Sequence, residues 1–175
     1  MNTHTLIQAE ALAERLGDPQ LRIFDCRFDL ARPDSGRERY LDEHLPGAVY
    51  ADLNRDLSVP ATATSGRHPL PSPATFEARL REWGVNAESL VVAYDDGNGA
   101  YAARLWWMLR WLGHDAVRVL DGGMRRWLAL GLPLDEVVPV PASGDFVARV
   151  RPDCTADAAT VLVAAGDATA RVLDV

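Results

Sequence analysis

Two adjacent carboxylates, Asp95 and Asp96, end a short apolar run and open the loop Gly97-Asn98-Gly99-Ala100 ahead of a Trp-rich helical segment. A carboxylate pair at a strand end suits general acid–base work or a magnesium site. Neighbouring side chains on an extended stretch point to opposite sides, however, so the two do not converge on one ligand. Loop and helix capping is the favoured reading, with a supporting role at a domain interface as a further one. A second group is Arg67-His68-Pro69-Leu70-Pro71, an ordered turn at the end of the Ser/Thr/Pro-rich stretch 58–66. Long loops of this kind are often functional.

Sulfur chemistry has few candidates. Cys26 lies inside an apolar strand and reads as a buried hydrophobe, while Cys154 falls in a Pro-interrupted segment, and no CxxC spacing joins them. A disulfide scaffold or zinc site is not expected. His4, His44 and His114 lack partners at metal-ligand spacing and read as solvated or capping residues. No metal and no cofactor is expected.

The charge balance excludes further classes. A formal charge of -7 argues against a nucleic-acid-binding face. Every basic residue is Arg and none is Lys, which removes Schiff-base chemistry and the P-loop lysine. The stretch Met1 to Glu10 shows neither a secretion signal nor a membrane span. A soluble, cytoplasmic protein is the expectation.

Strand and helix patterns alternate between these residues. Leu21 to Asp25, Ala48 to Asp52, Leu90 to Tyr94 and Ala116 to Leu120 read as strands; Ala9 to Leu16, Pro73 to Trp83, Tyr101 to Leu112 and Met124 to Leu130 read as helices. The third helix, with Trp106, Trp107 and Trp111, is apolar on nearly all faces and should be buried as core. The fold class is therefore α/β, a parallel sheet flanked by helices on both faces. From Glu136 to Asp153, prolines and a Ser143-Gly144 turn mark a linker, with an extended stretch at Phe146 to Val150.

The opening of the domain is written twice. Gly17 to Cys26 recurs in register as Gly166 to Val175, an offset of 149 that pairs Arg22 with Arg171. A five-residue strand cannot bury itself, so Arg171 to Val175 implies a second unit beyond Val175.

Three further segments carry a resemblance. Glu43-His44-Leu45-Pro46-Gly47-Ala48 precedes a strand, Leu90 to Leu112 sets a Gly-containing loop between strand and helix, and Val119-Leu120-Asp121-Gly122-Gly123-Met124-Arg125-Arg126-Trp127 with Gly131-Leu132-Pro133 closes the unit. In this order they resemble the rhodanese domain over roughly Leu6 to Leu134, and the repeat makes it similar to the tandem form of thiosulfate and 3-mercaptopyruvate sulfurtransferases.

The resemblance implies a division into a rhodanese-like domain at 1–135, an interdomain linker at 136–158 and the incomplete start of a second rhodanese domain at 159–175. It implies sulfane-sulfur transfer from thiosulfate or 3-mercaptopyruvate to a thiophilic acceptor such as cyanide or a thiol. In the family the loop after the central strand carries a cysteine that is persulfidated; here Asp95 stands at that position, so the catalytic residue is expected beyond Val175 and this half should be inert alone. His68 matches a histidine that leans toward the partner domain's catalytic loop, its acidic partner falls at Asn54, and Arg67 and Phe28 complete the pocket or interface candidates. The Asn54 departure weakens the mercaptopyruvate reading, since an amide orients an imidazole but offers no charge. The expected partner is the second rhodanese domain, and an uncovered face should make the chain self-associate. The competing reading is a non-enzymatic rhodanese-like binding or regulatory module.

Overall fold

The computed structural model describes residues 5–173. Strands β1 (Leu6–Ile7), β2 (Leu21–Asp25), β3 (Val49–Tyr50), β4 (Leu90–Tyr94) and β5 (Val117–Leu120) form one parallel sheet in the order β1-β5-β4-β2-β3. Helices α1 (Ala9–Ala13), α2 (Ser35–Asp42), α3 (Pro73–Glu82), α4 (Ala100–Trp111) and α5 (Gly123–Ala129) fill the connections. The central pair runs in register from Leu21↔Leu90 to Asp25↔Tyr94. The chain passes from β2 outward to β3, then returns to lay β4 on the other side of β2. That reversal leaves a crevice beyond the carboxyl ends of β2 and β4, where open α/β sheets hold their ligands.

The two-residue period of the strands divides the core. Phe24, Val91, Ala93, Val117 and Val119 face a cluster with Phe76, Leu80, Leu105, Met108 and Leu109 of α3 and α4. Ile23, Val92, Tyr94 and Leu120 face Ala9, Leu12, Met124 and Trp127 of α1 and α5. Both faces of the sheet are thus covered, and the inner strands read as largely apolar runs because they are buried on both sides. No described helix is long and apolar enough to cross a membrane.

Several expectations need correction. α2 is absent from the sequence reading because its apolar face is narrow, with only Ser35, Gly36 and Tyr40 buried. β1 is too short to show a period, and its pairing with β5 defines it. The Trp-rich helix is not buried all round: Trp106 and Trp107 are half-buried, and Trp107 stacks on Trp111 at 5.9 Å. His44 and His114 are buried rather than solvated. His44 lies flat on Tyr40, its Nδ1 2.7 Å from the Tyr40 carbonyl near the end of α2; His114 Nε2 meets the Ser89 carbonyl at 2.9 Å. His4 lies outside the described residues.

The segment read as a free linker is partly strapped to the domain. Gly144 and Phe146 donate to the Arg81 and Val85 carbonyls, and Arg149 and Arg151 to those of Leu112 and Trp111, with Phe146 buried. A 3-10 turn at Pro152–Cys154 follows, and then α6 (Ala158–Gly166), a helix the prolines upstream disguised. Asp157 caps α6 through the Thr160 amide at 2.7 Å. Residues 171–173 of the expected repeat strand join no sheet, and 174–175 lie outside the described residues.

Candidate functional site

The crevice is organised around Asp95, the residue that follows β4. Its side chain is buried, and both oxygens accept main-chain hydrogen bonds: Oδ1 from Gly97 at 2.9 Å and Gly99 at 3.0 Å, Oδ2 from Tyr101 at 3.1 Å and Ala102 at 3.2 Å. Those donors are the loop amides and the orphan N–H groups of the first turn of α4, which favour an anion at a helix amino terminus. Gly99 adopts φ 79°, a left-handed conformation that turns the loop into the helix. The carboxylate saturates these four amides.

α5 closes this loop from the other side. A methyl on Gly123 would sit 2.5 Å from the Asp95 carbonyl oxygen and 2.8 Å from the Gly97 nitrogen, so the Asp121-Gly122-Gly123 motif permits a close approach of backbone to backbone. The Met124 amide donates to the Asp95 carbonyl at 2.8 Å. The motif that signalled the fold thus shapes the loop as well.

Asp96 does not share the Asp95 amides: both its carboxylate oxygens accept from Arg39 Nη1, at 2.9 and 2.8 Å. The two carboxylates therefore do not act on one ligand. Among the described residues no group of three or more His, Cys, Asp or Glu side chains is placed to hold a metal ion. The Arg39–Asp96 pair separates two clefts. One, of about 540 Å³, is lined by Arg27, Asp42, Glu43, Met124, Arg125 and Leu128; the other, of about 380 Å³, by Phe28, Asp29, Leu30, Asn98 and Tyr101. Beneath the first, Asp25 and Arg27 form a buried pair at 2.7 Å, with Tyr94 donating to Asp25 at 2.7 Å.

The other predicted residues meet on the long loop between β3 and α3. His68 Nε2 lies 3.0 Å from Asn54 Oδ1, and in the tautomer with the proton on Nε2 the amide oxygen is its acceptor. Phe28 sets its edge to the His68 ring at 6.3 Å and to Tyr101 at 5.5 Å. Burial, reinforced by the Arg104 and Arg67 charges, holds the His68 pKa below the ordinary imidazole value, so the ring is neutral near pH 7. Arg67 itself is exposed and makes no ion pair among the described residues. Of these four, only Phe28 lines either cleft.

Neither cysteine approaches the loop as a nucleophile. Cys26 is buried in the core, and burial, with Asp25, Asp95 and Asp56 nearby, pushes its thiol well above the ordinary value. Cys154 packs against the same core from the 3-10 turn. Sequence reasoning missed Arg104, whose guanidinium donates to the Leu57 carbonyl at 3.1 and 2.7 Å and to the His68 carbonyl at 2.8 Å. Its signal was present: a lone charge in the apolar first half of α4 must find acceptors.

Comparison with known proteins gives this arrangement a context. The chain is 45% identical over 176 residues to a probable 3-mercaptopyruvate sulfurtransferase of Pseudomonas aeruginosa, covering 99% of this chain and 62% of the relative. It is 36% identical over 178 residues to a 3-mercaptopyruvate sulfurtransferase of Escherichia coli, covering 99% and 62%. A putative thiosulfate sulfurtransferase of Mycobacterium tuberculosis is 46% identical over 128 residues, 72% of this chain and 44% of the relative. The chain thus spans under two thirds of the length of these relatives. The crystal structure of the Escherichia coli 3-mercaptopyruvate enzyme SseA superposes with a TM-score of 0.85 at 35% identity, over 97% of this chain and 64% of that one. Residues 8–130, which hold strands β2 to β5, the Asp95 loop and the His68 loop, match the rhodanese-like domain, and the chain belongs to that family.

Proposed function

We propose that this chain is the nucleophile-free amino-terminal half of a tandem sulfurtransferase, one that moves sulfane sulfur from 3-mercaptopyruvate or thiosulfate to a thiophilic acceptor such as cyanide or a thiol. The observation that carries the reading is the Asp95 carboxylate seated on four amides. A persulfide needs a sulfur atom on that nest, and a carboxylate takes its place without being able to accept sulfur. The reacting cysteine belongs in this reading to a second rhodanese domain, the partner that the first half faces.

Two observations support the tandem arrangement. Ala9 opens α1 and Ala158 opens α6, the same offset of 149 that relates Arg22 to Arg171, so the sequence repeat extends to a helix start. α6 buries none of its residues, leaving Val161, Leu162 and Val163 exposed, as suits a helix awaiting a sheet. Of the two donors, 3-mercaptopyruvate has the stronger support. The relatives matched over nearly the whole chain carry that name, and this outweighs the Asn54 departure, whose amide contacts His68 but offers no charge. The unpaired Cys26 and Cys154 favour a reducing, cytoplasmic setting.

The test is to incubate the purified chain with thiosulfate and cyanide and measure thiocyanate, and with 3-mercaptopyruvate and a thiol and measure sulfide. No turnover above the uncatalysed rate is expected in either. Turnover abolished by alkylating the cysteines would overturn the proposal.

A further inference from the structure

We propose that Arg104 is the positioning residue of the His68–Asn54 pair, holding the His68 main chain from α4 so that the imidazole stays hydrogen-bonded to Asn54 at the edge of the site. This rests on the reading above for the purpose of the pair, but not for its geometry.

The loop has little else to hold it. Residues 59–67 are all exposed, and a Val59–Pro69 main-chain bond of 3.0 Å ties the base. Arg104 reaches both sides of that base: its fork takes the Leu57 carbonyl with Nε and Nη2, and Nη2 also takes the His68 carbonyl. It makes no ion pair among the described residues, so these carbonyl dipoles are what its half-buried charge acts on. His68 is the only described non-glycine residue with positive φ, at 54°. A side-chain-bearing residue keeps that conformation only where its surroundings over-determine it. The bond to its carbonyl, the Asn54 bond to its ring and the Phe28 edge supply three restraints.

The Asn54 end is fixed independently. Asn54 and Arg55 amides donate to Asp52 Oδ1 at 2.8 and 3.0 Å, and Asp52 is buried. Removing the Arg104 fork therefore releases one end of the pair and leaves the other in place. A lysine offers charge without the planar fork, which makes Arg104→Lys the informative replacement. The charged side chains that act on the His68 ring, Arg104 and Arg67, are both cationic, so that replacement keeps the electrostatics while removing the geometry.

The experiment is nitrogen-15 NMR of the whole chain, reading the exchange of the His68 Nε2 proton with water and its ring contacts to Phe28. In the wild type the proton is observed in slow exchange, and the Arg104 Nε proton exchanges more slowly than that of exposed Arg67. In Arg104→Lys, His68 Nε2 exchange is about five- to tenfold faster, the factor expected from losing one hydrogen bond of ordinary strength, while α4 amides keep their shifts. Asn54→Ala gives the same acceleration and leaves the Arg104 proton protected. Unchanged His68 exchange in Arg104→Lys, or wild-type Arg104 and Arg67 protons exchanging alike, refutes the assignment. A variant that does not fold leaves the wild-type comparison to decide. No sulfur chemistry enters the measurement, so its failure and a failure of the inert-half reading are told apart by the thiocyanate assay.

Discussion

Asp95 Oδ1 and the Gly99 amide lie 3.0 Å apart, and this bond joins the end of the central strand to the residue that caps the helix that follows. With its three companions it converts the loop most suited to bind an anion into one that carries its own.

The first prediction concerns that loop. Asp95→Ala strands four main-chain donors and is expected to cost at least about 3 kcal/mol in urea unfolding, whereas Asp95→Asn, which keeps one acceptor oxygen, costs about half as much. Asp95→Cys places a thiol on the same amides, and mass spectrometry after thiosulfate treatment is expected to find one added sulfur that cyanide removes. The wild type should gain none.

Thiol accessibility gives a second outcome. Cys154, partly exposed on its 3-10 turn, is expected to react with iodoacetamide in the folded chain. Cys26 is not, because burial both shields it and disfavours its thiolate. Peptide mapping before and after denaturant reads both, and rapid labelling of Cys26 in the native chain would contradict the core assignment.

His114 makes stability depend on pH. Burial is the main cause holding its pKa below the ordinary 6.5, against weaker opposing contributions from the Ser89 carbonyl and Asp115. A folded value depressed below the unfolded one means that the unfolded chain binds the proton more readily. Its contribution is therefore complete above about pH 6.5 and declines as pH falls toward the folded value. Urea midpoints at pH 7.5 and pH 5.5, taken as about one unit either side of that reference, should differ in this direction. His114→Gln, which can still donate to Ser89, should flatten the difference.

The exposed face of α6 yields the fourth. Val161, Leu162 and Val163 are exposed by 41, 75 and 74%, and apolar side chains left uncovered in this number favour association. Analytical ultracentrifugation is expected to show concentration-dependent self-association, and Leu162→Asp with Val163→Glu to suppress it. A wild-type monomer at all concentrations would count against the uncovered-face reading.

The sequence made the sheet legible because its strands are buried on both sides: Leu21–Asp25 and Leu90–Tyr94 are found at their expected bounds. Elements held by few side chains were not legible. α2 shows only three buried positions, β1 is two residues long, and the strap through Phe146 is bound mainly through backbone atoms, which carry no residue signature. Capping by Asp95 was legible as the favoured of several readings, beside acid–base work and a magnesium site; the four amides it meets were not. Asn54 and His68 were placed together only through resemblance; nothing in their spacing of fourteen residues indicates contact. Arg104 escaped notice because its acceptors are carbonyls distant along the chain.

The strap has a mechanical result. From Gly144 to Arg151 the backbone is bound along the domain, and Cys154 is seated against its core, so Thr155, Ala156 and Asp157 are the whole of the free tether before α6. A leash this short holds whatever α6 belongs to at a high effective concentration against the domain face. In the proposed tandem arrangement the second domain would pivot but not drift, and its docking would need little intrinsic affinity.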